Sequence, residues 1–381
     1  MPVRRRYFLG SGAALATALP FSGYAATALS KPRRGKPVLM KTGTQDVGTE
    51  DDLVLCQRYG IRNVGGIYKI KDPDRHYPTV DELNELKAMA GKYGVAIDLV
   101  DTTIGRGGKS AIMLGKSPDR DREIEDFQNT IKSCAAAGIP ILKYYLSALP
   151  IIRTSQVPGR GDTTYNRFSY DELLADGMQT LGPPVPKEAL SADAASLEEY
   201  WARVTYFLDR VVPVANHYKV KIAQHPHDPG LPPQGYLGIP NFLGTVEGLK
   251  RFVAIQDSPY HGLNFCQGTL AEMLDNPNEE LPGIVRYFGV RKKIFNVHFR
   301  NIRGHRFDLI AEVFPDDGDV DFPAIMQVYR EIGYDGMMMP DHVPGVVRAN
   351  HTQDELKQIR AQLFVYAYGY INGLIQSAGL V

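Results

Sequence analysis

Apolar and polar positions along this chain alternate between two periods. Short apolar runs, typical of buried strands, are separated by longer stretches in which apolar residues recur every three to four positions, as they do on one face of a helix. The runs occupy residues 38–40, 61–64, 95–100, 139–144, 220–224, 262–265, 294–297 and 337–340. Eight strands alternating with helices predict an α/β fold, namely a (β/α)8 TIM barrel of parallel strands. A doubly wound open sheet has the same alternation, but the count of eight favours the barrel.

Two connections between these elements are too long to be plain loops. The first covers residues 147–191 after the fourth strand, and the second covers residues 226–244 after the fifth; both contain several prolines and glycines. Because all strands of a parallel barrel end on the same face, both insertions are predicted to lie on that face. We expect the first insertion to form a lid or a wall that governs substrate choice.

The last four strands are each followed by a side chain of a type that binds metals. His225, Cys266, His298 and Asp341 stand at the ends of strands five to eight, 32 to 43 residues apart, which is about one strand–helix unit. A single histidine at a strand end is more often a hydrogen-bonded structural residue, and a single cysteine is more often a buried apolar one. Four such residues at the ends of four successive strands make a shared metal site the better interpretation. Two imidazoles, a thiolate and a carboxylate predict a divalent metal site.

Further polar residues flank these four positions. Alternation along the strand places Arg300 on the same side as the histidine two positions earlier, where it can hold an anionic group. Asp228 can orient an imidazole or a substrate hydroxyl, whereas His227 points to the opposite side. At the last strand Asp341 supplies a carboxylate ligand, and the adjacent His342 supplies a base for proton transfer. His342, Arg300 and Asp228 are therefore the candidate catalytic residues.

The N-terminal residues predict export rather than a folded element. Arg5 and Arg6 precede a short apolar stretch, and small residues at 26–28 form a cleavage tripeptide. The apolar stretch is too short for a membrane span, which needs about 20 residues. We interpret residues 1–28 as a twin-arginine signal and residues 29–381 as one catalytic domain that is periplasmic or secreted. An anchor helix or a disordered basic tail is the alternative.

Charge and cysteine content narrow the classes of partner. Removal of the signal takes away three arginines and no acidic residue, so a chain with 43 basic and 43 acidic residues acquires a net charge of about −3. The absence of a basic block argues against a nucleic-acid partner, and no other stretch predicts a membrane span. Three cysteines are too few for a disulfide framework. The expected partner is a small molecule, and the sequence leaves a homo-oligomer open.

Five segments together resemble the mannonate dehydratase family, within the broader group of xylose-isomerase-like TIM barrels. The segments are residues 225–229, 265–270, 298–301, 318–321 and 340–342, with weaker similarity at 135–139 and 152–154. Each segment is short, but their order along the chain is specific. The resemblance covers most of the chain after the signal.

This resemblance implies a chemistry for the predicted site. The four strand-end residues would bind a divalent metal, with Mn²⁺ as the first choice; the thiolate taken alone suggests Zn²⁺, and Fe²⁺ and Co²⁺ are alternatives. The substrate would be a sugar acid such as D-mannonate, dehydrated to a 2-keto-3-deoxy acid, with His342 as the acid or base. Arg300, Arg153, Asp319 and His227 are the candidate substrate-binding residues.

The sequence also departs from the family pattern. His227 stands where the family usually has aspartate, Met339 stands where it has arginine, and residues 41–44 lack the aromatic and arginine residues of the family's first strand end. A tyrosine expected after the Asp-His pair has no counterpart in residues 343–356. Two alternatives therefore stay open. One is a metal-dependent sugar isomerase, epimerase or keto-glycoside lyase on the same barrel, and the other is a carbohydrate-binding protein without turnover.

Overall fold

The fold is known from a computed structural model, which describes residues 38–106, 110–180, 194–347 and 351–379. The segment interpreted as an export signal, residues 1–28, lies outside the described residues, as does part of the first insertion. Within the described part, no helix is both long enough and apolar enough to cross a membrane.

Eight parallel strands close into a barrel, which confirms the predicted fold class. In chain order the strands are β1 (Lys41–Val47), β2 (Asn63–Gly66), β3 (Ala96–Asp101), β4 (Ile141–Tyr144), β5 (Ile152–Arg153), β6 (Ser155–Pro158), β7 (Thr163–Ser169), β8 (Gln179–Thr180), β9 (Lys221–Gln224), β10 (His261–Cys266), β11 (Ile294–His298), β12 (Arg303–His305), β13 (Asp308–Ala311), β14 (Met337–Met339) and β15 (Gly345–Val346). The barrel consists of β1 to β4, β9 to β11 and β14, and β14 closes it by pairing with β1. The first strand begins three residues later than the apolar run at 38–40 predicts.

Helices follow most barrel strands and cover the outside of the barrel. In chain order they are α1 (Glu50–Arg58), α2 (Val80–Gly91), α3 (Ala111–Leu114), α4 (Asp119–Ala137), α5 (Tyr170–Asp176), α6 (Leu197–Tyr218), α7 (Val246–Ile255), α8 (Gln267–Ala271), α9 (Pro277–Val290), α10 (Phe322–Glu331) and α11 (Gln353–Ala378). Capping boxes satisfy the first backbone amides of α1, α2, α6 and α11. Helix α4 ends at Gly138, whose φ of 68° is left-handed and favours glycine.

The barrel interior is plugged by apolar side chains below the carboxyl ends of the strands. This cluster is separate from the main core between strands and helices, and its members come from five barrel strands. They are Leu99, Ile141, Ala223, Phe295, Met337 and Met339. Successive side chains of a strand point to opposite faces. For the plug members Leu99, Ile141, Ala223 and Met339, the residue two positions later therefore points into the mouth of the barrel.

The two predicted insertions after β4 and β9 are present, and the first contributes to a small antiparallel sheet. Its strand order is β12-β13-β7-β15, with β6 paired to β7. Within the insertion at 147–191, which is expected to form a lid or a wall, β6 and β7 form a hairpin of this sheet, here called the cap sheet. The sheet also takes β12 and β13 from the connection after β11, and β15 from the connection after β14. These last two contributions were not predicted.

Candidate metal centre

Four predicted ligands converge at the carboxyl end of the barrel. His225 follows β9, Cys266 ends β10, His298 ends β11 and Asp341 follows β14. One ligand atom from each residue can be chosen so that all four atoms lie within 4.8 Å of one another. Cys266, His298 and Asp341 are buried, and His225 is partly buried. The structure therefore brings together the four residues that strand ends alone predicted to meet.

Strand alternation explains why these side chains point to one centre. His225 lies two positions after Ala223, and Asp341 lies two positions after Met339; both earlier residues belong to the apolar plug. The period-two geometry of a strand carries the later side chains to the same face, one layer further towards the mouth. The plug thus forms the floor of the site.

His225 is held in the tautomer that a metal ligand requires. Its Nδ1 lies 2.7 Å from the carbonyl oxygen of Pro226, to which it donates. The proton on Nδ1 leaves Nε2 with a free lone pair. Burial, together with the nearby imidazole of His298, lowers the pKa of His225 to about 3, so the ring is neutral at physiological pH. A neutral ring with an oriented partner is the arrangement expected of a metal-binding histidine.

His298 presents a buried nitrogen that lacks a hydrogen-bond partner among the described residues. Its Nδ1 lies 3.0 Å from Asp341 Oδ1 without acceptable hydrogen-bond geometry. On the other side of the ring, Nε2 contacts the side-chain amide of Asn264 at 3.1 Å. Burial lowers the pKa of His298, against the opposing charge of Asp341. A neutral imidazole with an unpaired buried nitrogen fits a bound cation, because unpaired buried polar atoms are otherwise costly.

Cys266 caps a helix with its sulfur. The Sγ accepts from the backbone amide of Thr269 at 3.4 Å and from the Thr269 hydroxyl at 3.1 Å, at the start of α8. Burial and the charge of Asp341 raise the pKa of the Cys266 thiol. Without a metal the raised pKa favours the protonated thiol. A bound divalent cation would favour the thiolate instead, since a coordinating thiol is deprotonated outright. Two donors already directed at the sulfur favour the thiolate as well.

Asp341 is ionised because its neighbours outweigh its burial. Its Oδ1 lies 3.0 Å from Gln45 Nε2, which donates to it, and 3.3 Å from His342 Nε2. Its Oδ2 lies 3.5 Å from Cys266 Sγ. Burial alone would raise the pKa of Asp341, but His298 and His342 hold it well below its usual value. The carboxylate is therefore available as the hard, anionic member of the ligand set.

A buried cluster of five charged side chains supports the metal ligands from one side. Arg153 pairs with Asp228 at 2.6 Å and with Glu312 at 2.7 Å. Arg300 pairs with Asp228 at 3.0 Å, Glu272 at 3.0 Å and Glu312 at 2.8 Å. Burial, followed by the charge of Asp228, raises the pKa of Glu272 to about 8. A protonated Glu272 leaves two cations facing two anions, so the cluster is electrically balanced.

Both arginines, which are predicted to bind substrate, lie buried within this charge cluster. Arg300 is 3% exposed, and its Nε lies 3.5 Å from Asp341 Oδ2 while its Nη2 lies 3.8 Å from Cys266 Sγ. Gly268 permits this approach, because a Cβ there would lie 2.4 Å from Arg300 Nε. Arg153 is 2% exposed and is engaged by the buried acids. Arg300 thus contacts two of the four candidate ligands, whereas Arg153 and Asp228 reach it through the buried charge cluster.

The remaining predicted site residues differ in burial and in the groups that they contact. His342 is half-exposed and, with Asp341, lines a cavity of about 620 Å³ between β1, α1 and α11. His227 is buried, and its two ring nitrogens contact the Asn241 side chain and the Leu146 carbonyl. Asp319 is exposed and accepts from the backbone amide of Gly304 at 2.7 Å. The contacts of both residues are thus with the protein itself, and their role in substrate binding stays a prediction.

Three polar residues of the mouth were missed by the sequence reasoning. Lys143 Nζ lies 2.8 Å from Gln45 Oε1, to which it donates, and 3.1 Å from Asp101 Oδ2. Asp101 and Lys143 stand two positions after Leu99 and Ile141, which are members of the apolar plug. The alternation that finds the metal ligands would have found these two residues as well, had it been applied to the third and fourth strands.

Fold and site together define a (β/α)8 barrel with a candidate metal site at the carboxyl ends of its strands. The model of one family, D-mannonate dehydratase, matches residues 47–379. The chain belongs to this family, whose members are hydro-lyases. The family is metal-dependent, and the cluster built by the strand ends is a candidate for its metal site.

Individual relatives agree with this membership. Mannonate dehydratase from Thermotoga petrophila is 28% identical over 331 residues, covering 77% of this chain and 87% of the relative. Mannonate dehydratase 2 from Halalkalibacterium halodurans is 28% identical over 278 residues, covering 69% and 78%. The crystal structure of mannonate dehydratase from Streptococcus suis serotype 2 shares the fold, with a TM-score of 0.71 and 24% identity over 89% of this chain and 95% of that chain. A structure of L-ribulose 3-epimerase shares the barrel more distantly, with a TM-score of 0.53 and 15% identity over 89% and 95%.

Proposed function

We propose that this protein removes water from D-mannonate, or a closely related sugar acid, to give a 2-keto-3-deoxy acid. In this reaction the C2–H and C3–O bonds break, the hydroxyl leaves as water, and the resulting enol becomes the 2-keto group. The observation that carries the proposal is the set of four ligand atoms within 4.8 Å at the mouth of a barrel of this family. Beside it, His342 provides a partly exposed group for proton transfer.

The donor set accepts a divalent ion, and we propose Mn²⁺ as the native one. A bound divalent cation would polarise the oxygens of a carboxylate or hydroxyl as a Lewis acid. His225 Nε2, the unpaired His298 Nδ1, the Cys266 sulfur and an Asp341 oxygen are the groups that would hold it. The sulfur favours Zn²⁺ on softness, whereas the family resemblance favours Mn²⁺. Metal analysis of protein purified without added metal distinguishes the two.

His342 is the residue we assign to proton transfer. Its Nε2 lies 3.3 Å from Asp341 Oδ1, so the carboxylate orients the ring. Its side chain is 39% exposed and borders the cavity, so substrate and solvent can both reach the imidazole. An imidazole exchanges protons near neutral pH, as removal of the C2 proton or protonation of the leaving hydroxyl requires.

The proposal is tested with purified protein, Mn²⁺ and a panel of hexonates, uronates and oxidised glycosides, with products read by mass spectrometry. Loss of one water from D-mannonate, with formation of a 2-keto group, is the expected result. A protein loaded with metal that leaves every acid in the panel unchanged would contradict the proposed dehydratase activity. Chelator-treated protein serves as the matched control.

A second candidate function is sugar epimerisation or isomerisation at the same centre. The observation that favours it is Met339, which is fully buried in the apolar plug at the position where the family resemblance leads us to expect arginine. An apolar residue there removes a cation that would suit an acid. Conversion without change of mass in the same panel would support this candidate instead.

We also propose that the mature protein functions in the periplasm or outside the cell. The support is Arg5-Arg6 followed by a short apolar run, with no acidic residue in the first 28 positions. Replacement of both arginines by lysine is expected to leave uncleaved precursor in the cytoplasm. Normal export of that variant would contradict transport through the twin-arginine route.

A further inference from the structure

The half of the barrel mouth formed by β1, β3 and β4 contains a buried ammonium group. Lys143 is 6% exposed. Its Nζ donates to Gln45 Oε1 at 2.8 Å and lies 3.1 Å from Asp101 Oδ2. An ammonium group has three N–H donors. The contacts found among the described residues therefore leave one donor for a ligand.

Positive charge is in excess around this ammonium. Asp101 Oδ2 also accepts from Arg106 Nη2 at 2.7 Å, so one carboxylate faces two cations. The arginines of the buried cluster have no such excess, since Asp228 and Glu312 balance their two charges. Among the described residues of the mouth, Lys143 is thus the cation that remains able to pair with an anionic ligand.

The same lysine lies close to the metal ligands. Gln45 bridges the two groups, because its Oε1 accepts from Lys143 while its Nε2 donates to Asp341 Oδ1 at 3.0 Å. The orientation of the amide is set chemically, since an ammonium only donates and a carboxylate only accepts. Two hydrogen bonds and one amide group place Lys143 Nζ at most roughly 8 Å from Asp341 Oδ1. A short sugar acid can therefore contact both groups.

We propose that Lys143 is a substrate-binding residue that pairs with the carboxylate of the acid, on the side of the site facing the metal ligands. This inference rests on the proposed function, because only an acidic substrate requires the pairing. A charge-assisted hydrogen bond in a site shielded from water is stronger than a neutral one. The subsite thus selects acids over neutral sugars and polyols.

The test compares two lysines with the same burial. Lys293 is also 6% exposed, but it precedes β11 at the opposite end of the barrel, where it donates to the Ser258 carbonyl at 2.8 Å. Wild type, Lys143→Met, Lys143→Arg and Lys293→Met are each supplied with Mn²⁺. Binding of D-mannonate, of the neutral polyol D-mannitol and of Mn²⁺ alone is measured by calorimetry. Product formation from D-mannonate is followed in parallel.

Lys143→Met is expected to weaken D-mannonate binding by roughly 10- to 100-fold, the loss of one hydrogen bond to a charged group. Its affinities for D-mannitol and Mn²⁺ should stay as in wild type, Lys143→Arg should retain most of the acid affinity, and Lys293→Met should behave as wild type. Unchanged acid binding in Lys143→Met would overturn the proposal. Equal loss of acid, polyol and Mn²⁺ would also overturn it, because Lys143 would then act only through Gln45 on Asp341.

The design separates this inference from the proposed function. Acid binding that depends on Lys143 in a wild-type protein that releases no water would keep the subsite and refute the dehydratase. Water release that continues in Lys143→Met with unchanged KM would keep the dehydratase and refute the subsite. A wild type that binds none of the acids would refute both.

Discussion

The carboxyl end of the barrel has two halves that differ in charge. The half built by β9, β10, β11 and β14 contains two neutral imidazoles, a thiol and one carboxylate, arranged as a metal site. The half built by β1, β3 and β4 contains Gln45, Asp101 and Lys143 in one hydrogen-bonded chain. Gln45 joins the two halves by donating to Asp341.

The comparison teaches that one backbone geometry can supply two kinds of chemistry. Asp341 and Lys143 each lie two positions after a residue of the apolar plug, so both point into the same space. Side-chain chemistry then decides that one half suits a cation and the other suits an anion. A substrate acid placed between a metal and an ammonium would meet both.

The largest effect is expected from replacing one carboxylate in each half by the corresponding amide. Asp341→Asn should lose its bound metal. Its activity should then fall by about 10³-fold or more, because a catalytic cation lowers the activation barrier by several kcal/mol. Asp101→Asn should keep the metal. Elemental analysis and turnover measured on both variants check this. Retention of metal by Asp341→Asn, or its loss from Asp101→Asn, would contradict the division between the halves.

Within the metal half, His342→Asn separates proton transfer from metal binding. The variant should retain its metal but lose turnover by about 10²-fold or more, the usual contribution of a positioned general acid or base. Metal content and kcat are measured together. If His342→Asn lost the metal while Asp341→Asn retained it, the roles of these neighbours would be reversed. Full turnover with full metal content would place the catalytic base elsewhere.

A smaller effect is expected at the junction between the halves. Gln45→Met removes the amide that connects Lys143 with Asp341 and leaves the four ligands in place. Loss of a partner that orients a metal ligand typically costs about 10- to 100-fold in metal affinity or activity. Titration with Mn²⁺ measures the affinity. Wild-type affinity in Gln45→Met would show that the two halves act independently.

The last prediction concerns the buried charge cluster and pH, and its effect is on stability and not on activity. The pKa of Glu272 is raised from 4.5 to about 8 by burial, so its contribution to stability is fully present below about pH 4.5 and is lost as the pH rises towards 8. The free energy of unfolding should therefore fall over this window, by at most about 1.4 kcal/mol per pH unit. Glu272→Gln cannot ionise and should flatten the fall.

Urea unfolding of metal-free protein across this pH window measures the slope. The exposed residue Glu279 provides the matched control, since Glu279→Gln should leave the slope as in wild type. An identical slope in wild type and Glu272→Gln would show that Glu272 is already ionised in the folded state.

The barrel could be predicted from the sequence, but the cap sheet could not. Barrel strands are buried on both sides and appear as apolar runs, as β10 and β11 do. β1 was placed too early because its residues Lys41 to Gln45 are polar or small. The cap sheet pairs β7 with β13, whose partners Phe168 and Leu309 lie far apart in the chain. No local pattern specifies such a pairing.

The four residues of the candidate metal site could be predicted to converge, because histidine and cysteine at strand ends are conspicuous. Lys143 was missed because lysine is usually exposed, although alternation along its strand places it in the mouth. Gln45 was missed because only the three-dimensional structure shows that it bridges Lys143 and Asp341. Arg153, Arg300 and their shared partner Asp228 were recognised as site residues, but the two glutamates that pair with the arginines were not. Glu312 and Glu272 come from other connections, and their approach depends on tertiary packing.

The central claim is that His225, Cys266, His298 and Asp341 hold one divalent cation, and crystallography tests it most directly. Anomalous scattering recorded at the Mn absorption edge, from crystals grown with Mn²⁺, locates the ion. The account predicts one strong peak within about 2.0–2.6 Å of a donor atom of each of the four residues. A peak coordinated by other residues, or none at this position in metal-loaded protein, would contradict it.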